Sequence, residues 1–279
     1  MSVRPTGLIL KIIWPLKTQR ARTALGTLGF AVGLGGCATP AHVLPVVQPG
    51  NLNAAAAEIA RTAEPSARAI SDIDAVARVA ALYQRLKPAA IAVCRYVGEH
   101  HCNWELTYSP EEDINAYASD DVTVVIYKGI VQYARSDAEI AMVIAHEMAH
   151  HIANHINESQ NSQAVGALIG GVAMTLLLGD AAAHSGQAIS DGMRIGAAAG
   201  VLTFSRKQEM EADYLAAYIV ARAGFNLDTA RAMLVKLGRL GGRTTSTVLD
   251  THPAGPERVA AWDLAANEIR AGSPMPRKR

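Results

Sequence analysis

The segment IAHEMAHHIANH, from Ile144 to His155, decides the fold because it holds four of the nine histidines of this 279-residue chain. It contains the pattern HExxH, in which His146 and His150 are four residues apart. On a helix these two imidazoles lie on one face and can bind a single metal ion. Glu147 then lies about 100° around the helix from His146, where its carboxylate can take a proton from water at the metal. The pattern predicts a zinc-dependent hydrolytic site, and a histidine-rich helix surface is the alternative.

A catalytic zinc ion needs a third protein ligand, and the segment SRKQEMEADYLA, residues 205–216, offers three carboxylates. Glu209 and Asp213 are four residues apart and share a helix face, whereas Glu211 points in roughly the opposite direction. We therefore predict that Glu209 is the third ligand of one zinc ion per chain. Asp213 is expected to accept a hydrogen bond from the outer ring nitrogen of a zinc-binding histidine, namely His146. An acidic, solvated helix face is the alternative.

Helices and a small sheet surround this site in the predicted fold. The helix with the HExxH pattern begins near Ser136, since Ser136 and Glu139 have the spacing of a capping box. Apolar periodicity predicts further helices over Ile70–Leu86, Ser205–Ala223 and Asp228–Leu240. Runs with strand-like composition predict short strands over Ala90–Val97, Trp104–Tyr108, Ile114–Ala118 and Val122–Tyr127. The predicted fold class is α+β and mainly helical, with a small sheet that precedes the histidine-rich helix.

The N-terminal residues have the pattern of an export signal. Basic residues precede an apolar run over 24–36, which is short for a membrane span. This run leads into Leu-Gly-Gly-Cys at residues 34–37, which resembles the lipobox of bacterial lipoproteins. We therefore predict a signal peptide over 1–36 and a lipid anchor on Cys37, with an ordinary signal peptide as the alternative. Ala38 after the cysteine favours the outer membrane, with the protein facing the periplasm.

Charge and cysteine content narrow the functional classes. Five basic and no acidic residues lie among the first 36, so 21 basic and 25 acidic residues remain and give the rest of the chain a charge of −4. This balance lacks the basic pattern of a nucleic-acid-binding protein. Cys94 and Cys102 form an even pair in a chain with an export signal, which favours a disulfide over two unpaired thiols.

Beyond the signal peptide, the chain divides into three predicted parts. Residues 37–69, which contain several prolines, are predicted to form a tether and an N-terminal helical segment. Residues 70–272 form the catalytic domain, and the Pro-rich, basic residues 273–279 form a flexible tail. The apolar stretch 164–179 would be about 24 Å long as a helix, which is short of a membrane span. It is predicted to be either a core helix or a hairpin that acts as a lid or touches a membrane.

Four segments of the chain resemble the HtpX-like and BepA-like zinc metallopeptidases, which are relatives of the CAAX prenyl proteases and the OMA-type proteases. The segments are NAYASDDVTVVIYKGIV (115–131), SDAEIAMVIAHEMAHHIANH (136–155), FSRKQEMEADYLA (204–216) and THPAGPERVAAW (251–262). They occur in the family's order within Ile114–Trp262. The resemblance implies a gluzincin fold, with the small sheet beside the HExxH helix. The letters NAYASDD depart from the family, where relatives often have glycines before the strand, so the turn geometry there stays open.

The resemblance also implies roles for individual residues. The two HExxH histidines and Glu209 correspond to the family's zinc ligands, and Glu147 corresponds to its general base. Asn115 corresponds to an asparagine that helps to shape the substrate groove. The strand over Val122–Tyr127 corresponds to an edge strand, which could pair with the extended backbone of a substrate.

His252 and Arg258 lie in the family-like pattern HPxxxxR. His252 is expected either to fill the fourth position at the zinc and keep the enzyme latent, which we favour, or to donate a hydrogen bond to the oxyanion. Arg258 would be a second donor or an organiser of the site, and a surface histidine in a proline turn is the alternative. Pro253 restricts the backbone of His252 and helps to fix the direction of its imidazole. His155, nine residues beyond His146, could support the site or simply pack, and packing is favoured.

The resulting functional prediction is a zinc-dependent endopeptidase that is lipid-anchored to the outer membrane on its periplasmic side. Its expected substrates are misfolded or stalled envelope proteins, and the outer-membrane assembly machinery is a candidate partner. The alternative is a chaperone or assembly-scaffold lipoprotein with a latent or structural metal site. Glu147 discriminates between these functions, because a structural site needs no base beside its ion.

Overall fold

The structure is a computed structural model that describes residues 10–12, 40–64, 66–98, 102–119, 121–161, 204–240 and 252–279. The predicted lipid site Cys37, most of the predicted signal peptide and the apolar stretch 164–179 lie outside these residues. Among the helices in the described ranges, none combines the length and the apolar character that a bilayer crossing requires.

Helices make up most of the described chain. They are α1 (Pro49–Arg61), α2 (Asp72–Val97), α3 (Lys128–Tyr133), α4 (Asp137–Ile152), α5 (Arg206–Arg222), α6 (Leu227–Leu240) and α7 (Pro256–Arg270), with a further helical segment over 155–161. Helix α4 carries the HExxH pattern and packs against α2, α5 and α6. Its residues are buried from end to end apart from Asp137 and the half-buried His151. The predicted metal-binding helix is therefore the centre of the core.

Helix α4 begins where the sequence predicts, but its cap differs from the predicted capping box. The hydroxyl of Ser136 accepts a hydrogen bond from the backbone N–H of Glu139 at 3.3 Å. The Glu139 carboxylate accepts from the backbone N–H of Arg135 at 2.8 Å and from Lys236 Nζ at 2.5 Å. Because Lys236 lies on α6, this buried ion pair fixes the start of α4 against a neighbouring helix.

The sheet is small and corrects one sequence prediction. Its strands are β1 (Leu10–Ile12), β2 (Glu105–Ser109), β3 (Ala116–Ala118) and β4 (Thr123–Tyr127), in the order β1-β2-β4-β3. The β2 and β4 strands are parallel, and β3 runs antiparallel to β4. The predicted edge position of Val122–Tyr127 is wrong, because β4 lies between β2 and β3. The outer strand next to β4 is β3, which packs beside α4. The predicted fold class of a mainly helical α+β protein with a small sheet beside this helix is confirmed.

Helix α2 corrects a second sequence prediction. Residues Ala90–Val97 are not a strand but the last turns of this 26-residue helix. Leu86, Ala90 and Val93 are buried and continue the spacing of three and four residues that marks one helix face. The β-branched residues of this stretch therefore serve the helix core. The helix ends at Gly98, whose φ of 97° lies in the left-handed region that favours glycine.

A disulfide joins the end of α2 to the approach of β2. Cys94 and Cys102 are bonded, with their Cα atoms 5.8 Å apart. Beside them the Tyr83 hydroxyl donates a hydrogen bond to the carbonyl of Trp104, and both side chains are buried. The disulfide thus lies against the core, where it connects a helix to the sheet.

The segment around residues 41–43 lies against the C-terminal residues 277–279. Helix α1 packs on α6 and α7. Residues 41–43 and 277–279 exchange backbone hydrogen bonds of 2.9 and 3.1 Å. The predicted flexible tail over 273–279 is therefore docked in the structure, because its backbone pairs with the N-terminal segment. From residue 40 onward, the predicted tether is likewise part of the folded body.

Candidate metal centre

The first two donor groups come from helix α4. His146 and His150 are one turn apart and their Nε2 atoms lie 3.0 Å from each other. Both are buried, at 4% and 0% exposure. The ring of Phe204 stacks on His150 with 3.8 Å between ring centroids. The two imidazoles therefore converge on one point, and the stacked ring of Phe204 helps to fix His150.

The third donor group comes from the first turn of helix α5. Ser205 and Gln208 form a capping box that starts this helix just before Glu209. The Oε1 atom of Glu209 lies 3.3 Å from His150 Nε2, and Oε2 lies 3.5 Å from His146 Nε2. Glu209 is completely buried. The structure therefore brings together the three residues that the sequence assigns to zinc.

The fourth donor group is His252, which precedes α7. Its Nδ1 atom lies 3.0 Å from Glu209 Oε1 and 3.3 Å from His146 Nε2. The residue is 2% exposed, so it is not a surface histidine in a proline turn. Of the two roles considered from the sequence, this position corresponds to the fourth place at a metal ion. We call His146, His150, Glu209 and His252 the donor cluster.

The donor cluster fits a zinc ion. Zinc binds nitrogen and carboxylate oxygen at about 2.0–2.2 Å in a tetrahedron, which places ligand atoms about 3.3 Å apart. One ligand atom from each of the four residues can be chosen so that all lie within 4.8 Å of one another, and the closest contacts are 3.0–3.3 Å. Three of these atoms are imidazole nitrogens, which cannot all donate hydrogen bonds to one another. Coordination to a common ion satisfies all four.

The outer nitrogen of His146, the ring nitrogen turned away from the donor cluster, faces Asp213. Asp213 Oδ1 lies 2.9 Å from His146 Nδ1. With Nε2 directed at the cluster, Nδ1 carries the proton and donates it to this carboxylate. Burial alone would lower the pKa of His146, but the Glu209 and Asp213 carboxylates outweigh it and raise this pKa to about 9. A metal ion that binds here therefore competes with a proton.

Arg258 is buried and pairs with two carboxylates. Its Nε and Nη2 atoms contact Asp213 at 2.7 and 2.8 Å, and Nη1 lies 2.5 Å from Glu209 Oε2. Burial would raise the pKa of Asp213, but the Arg258 guanidinium outweighs it and lowers that pKa. Since the N–H groups of Arg258 already face protein acceptors, the geometry favours an organising role over that of an oxyanion donor.

Glu147 lies beside the donor cluster without joining it. It is 1% exposed, and its Oε2 atom lies 3.8 Å from His252 Nε2. This oxygen has no hydrogen-bond partner among the described residues, which is costly for a buried carboxylate. A cavity of about 10 Å³, roughly the space of one water molecule, lies next to it. The apolar part of the cavity wall is formed by Ile130, Met142, Val143 and Leu237.

Three further residues extend the site: His155, for which support of the site was the less favoured alternative, and Glu211 and His42, for which no role was predicted. His155 Nδ1 lies 3.1 Å from His150 Nδ1, and His155 Nε2 lies 3.3 Å from Glu211 Oε2. Glu211 Oε1 accepts from the backbone N–H of His42 at 3.0 Å and lies 2.6 Å from the His42 ring. The packing role favoured for His155 is therefore incomplete. Its nine-residue spacing from His146 was the available signal, whereas no local pattern pairs Glu211 with His42.

Asn115 lies at the start of β3. Its carbonyl accepts a hydrogen bond from the backbone N–H of Tyr127 at 3.2 Å, which extends the pairing of β3 with β4. Asn115 therefore helps to fix the position of the outer strand beside α4.

Comparisons with known proteins show what this chain is similar to. A family model described as peptidase family M48 matches residues 78–265. The mitochondrial metalloendopeptidase OMA1 of Arabidopsis thaliana is 32% identical over 156 residues, which cover 56% of this chain and 30% of that protein. The beta-barrel assembly-enhancing protease of Escherichia coli K12 is 29% identical over 164 residues, which cover 57% and 34%. For OMA1 of Saccharomyces cerevisiae the identity is 30% over 179 residues, which cover 60% and 49%. The matches therefore span between 30% and 49% of these relatives.

Proposed function

Because the chain belongs to peptidase family M48, we propose that it is a zinc-dependent endopeptidase whose donor cluster holds the ion. His146, His150 and Glu209 are the permanent ligands, and Glu147 is the general base. The observation that carries this proposal is the convergence of four buried donor atoms at 3.0–3.3 Å next to a buried carboxylate oxygen without a partner. A site that only binds metal has no use for that carboxylate.

The residues around the ion divide the chemical work. When bound, zinc supplies Lewis acidity, which polarises a peptide carbonyl and acidifies water. Glu147 Oε2 accepts the proton of the attacking water and returns it to the leaving amine. Asp213 holds the proton of His146 on Nδ1, so that Nε2 keeps its lone pair toward the cluster. Arg258 fixes the Asp213 carboxylate from the other side with two hydrogen bonds.

His252 acts as a gate in this proposal. A catalytic zinc site needs a position for substrate or water, and His252 Nδ1 takes that position in the donor cluster. Its Nε2 atom also faces Glu147 at 3.8 Å, so the same ring restricts the general base. Departure of His252 would open both the fourth position and the space beside Glu147. Replacement of His252 by alanine should change proteolysis clearly while zinc content is retained.

The proposed substrates are misfolded or stalled envelope proteins in extended conformation. The outer strand β3 lies beside α4, and an exposed strand edge can pair with a peptide backbone with little sequence preference. A relative of this chain from Escherichia coli is named a beta-barrel assembly-enhancing protease. This name makes the outer-membrane assembly machinery a candidate partner. A disulfide between Cys94 and Cys102 suits the periplasm. We propose a lipid on Cys37 as the anchor to the outer membrane, so Cys37→Ser should release the protein from membranes.

A second function is favoured by one observation. Four protein ligands around a metal ion are typical of structural sites, and the donor cluster supplies four. On this basis the protein would be a chaperone or assembly scaffold whose metal site is latent or structural. The two functions differ in what they require of Glu147, since only the peptidase uses it as a base.

The deciding experiment measures cleavage of an unfolded outer-membrane β-barrel protein together with zinc content. Glu147→Gln should retain zinc and lose roughly 10²-fold or more in rate, the scale of a lost general base. Glu209→Ala should lose zinc and activity together. If Glu147→Gln cleaves as fast as the wild type, the proposed base is wrong. If neither the zinc-loaded wild type nor His252→Ala cleaves, the scaffold function gains the support that the peptidase loses.

A further inference from the structure

We propose that Glu211 is a positioning residue for the metal centre and acts on His150 through His155. The outer nitrogen of His150, Nδ1, faces His155 Nδ1 at 3.1 Å, and His155 Nε2 faces Glu211 Oε2 at 3.3 Å. The three side chains are at most 2% exposed, so water does not compete for these contacts. The inference rests on the assignment of His150 as a zinc ligand in the proposed function.

When His150 Nε2 binds a metal ion, the geometry allows one arrangement of protons along the series His150, His155 and Glu211. His150 Nε2 belongs to the donor cluster, so the proton of its neutral ring lies on Nδ1. That proton can only be accepted by His155 if His155 Nδ1 is bare, which places the His155 proton on Nε2. His155 Nε2 then donates to Glu211 Oε2. The carboxylate at the far end therefore favours the same tautomers of both rings that metal binding by His150 Nε2 requires.

Contacts on both carboxylate oxygens fix the position of Glu211. The backbone N–H of His42 donates to Oε1 at 3.0 Å, and the His42 ring lies 2.6 Å from the same oxygen. One oxygen thus faces the metal centre through His155, and the other is fixed by the N-terminal segment.

This arrangement connects the paired segments 41–43 and 277–279 to the metal centre. The segment that contains His42 is paired with residues 277–279 by backbone hydrogen bonds. His42 is completely buried, although it lies only five residues beyond the predicted lipid site. The orientation of His150 therefore depends on residues outside the four family-like segments. Partners of metal-bound histidines usually contribute about 10- to 100-fold to metal affinity.

The first test compares two isosteric changes of buried glutamates. Glu211→Gln keeps the shape but removes the charge, and its amide N–H groups would face the donors of His42. We expect zinc affinity, measured in the full chain by competition with a chelator, to fall about 10- to 100-fold. Glu139→Gln is the matched control, since Glu139 is buried in an ion pair with Lys236 but does not contact the donor cluster. It should lower stability and leave zinc affinity unchanged.

The second test restores one contact at a time. His155→Leu removes the acceptor beside His150 Nδ1 at similar volume and should weaken zinc affinity as Glu211→Gln does. In His155→Asn the side-chain oxygen can occupy the place of the imidazole Nδ1 and accept the His150 proton, so affinity should recover at least partly. A structural role alone would give the Leu and Asn variants equal zinc affinity, and this result would overturn the inference.

The outcomes separate this inference from the proposed function. If the wild-type chain binds no zinc, the donor-cluster assignment fails and the inference fails with it. If the wild type binds zinc and cleaves its substrate, but Glu211→Gln has wild-type zinc affinity, only the positioning role is wrong. Nitrogen NMR of His150 in the zinc-loaded protein gives an independent readout, because its Nδ1 should carry a proton in the wild type and exchange it faster in Glu211→Gln.

Discussion

Helix α5 presents carboxylates in two directions, and the two directions support the two α4 histidines in different ways. On one side, Asp213 contacts the outer nitrogen of His146 directly at 2.9 Å. On the other side, Glu211 reaches His150 only through the intervening ring of His155. On both sides, the contacts that begin at the outer nitrogen of a donor-cluster histidine end at a buried carboxylate. They differ in length and in what holds the carboxylate.

The difference shows how one helix can serve a metal site with local and distant parts of the chain. Asp213 is fixed by Arg258, whose buried guanidinium also contacts Glu209 at 2.5 Å, so charge balances charge inside the core. Glu211 is fixed by His42, which is 169 residues away in sequence. The contacts of Asp213 should therefore make the larger contribution to stability and zinc affinity. The contacts of Glu211 should make a smaller contribution, which depends on the pairing of residues 41–43 with 277–279.

The largest expected effect is on the ion pair of the Asp213 side. Arg258→Met keeps an apolar stem but leaves two buried carboxylates, Asp213 and Glu209, without their counterion. Breaking a buried pair in this way costs about 3–5 kcal/mol of the free energy of unfolding. Urea denaturation of the zinc-free protein measures it.

Arg231→Met is the control for that experiment. Arg231 also pairs with two carboxylates, Glu58 and Asp263, but their side chains are 42% and 40% exposed. Water partly screens these carboxylates, so the cost should be clearly smaller than that of Arg258→Met. Equal costs for the two arginine variants would mean that burial does not distinguish the Asp213 side from an ordinary surface network.

A smaller effect is expected when charge is removed from the direct contact alone. In Asp213→Asn the amide oxygen can still accept the His146 proton, but its N–H groups would face Arg258. Zinc affinity should fall by about 10- to 100-fold, and by more than in Glu211→Gln, because no second ring intervenes. Chelator competition on both variants compares the two sides under one condition. A larger loss in Glu211→Gln would reverse the ranking of the two sides.

The contacts of Asp213 could be predicted from the sequence because they follow from residue spacings within single helices. HExxH spacing places His146 and His150, and a four-residue spacing places Glu209 and Asp213 on one face. The resemblance to zinc metallopeptidases is confirmed by the family match over residues 78–265, and zinc is the metal of that family. The roles of the single residues stay predictions, although the structure brings them to one place.

The contacts of Glu211 could not be predicted because they join residues that are far apart in the sequence. Helical spacing correctly directs Glu211 away from Glu209. From that direction alone, Glu211 would be expected to face solvent. In the structure the N-terminal segment covers it, and Glu211 is buried beside His42. The same limit applies to the strand predicted over Ala90–Val97. Its β-branched composition favours a strand locally, but packing of the extended α2 face against the core decides for a helix.

The smallest expected effect comes from the residue that holds the C-terminal segment. Glu268 accepts hydrogen bonds from Tyr214 and Tyr218 at 2.7 Å each and pairs with Arg277 at 2.8 Å. Burial would raise the pKa of Glu268, but the tyrosine hydrogen bonds and Arg277 outweigh it and lower this pKa below 4.5. Its stabilisation is therefore complete above pH 4.5 and is lost as pH falls through the lowered pKa.

Glu268→Gln should cost about 1 kcal/mol near neutral pH, and its difference from the wild type should shrink on acidification, as pH-dependent urea denaturation will show. Because Glu268 contacts α5 through Tyr214 and Tyr218 but does not belong to the donor cluster, zinc affinity should change far less than in Glu211→Gln. An equal loss of zinc affinity would instead mean that the pairing of residues 41–43 with 277–279 determines the orientation of His150, and that Glu211 only transmits its effect.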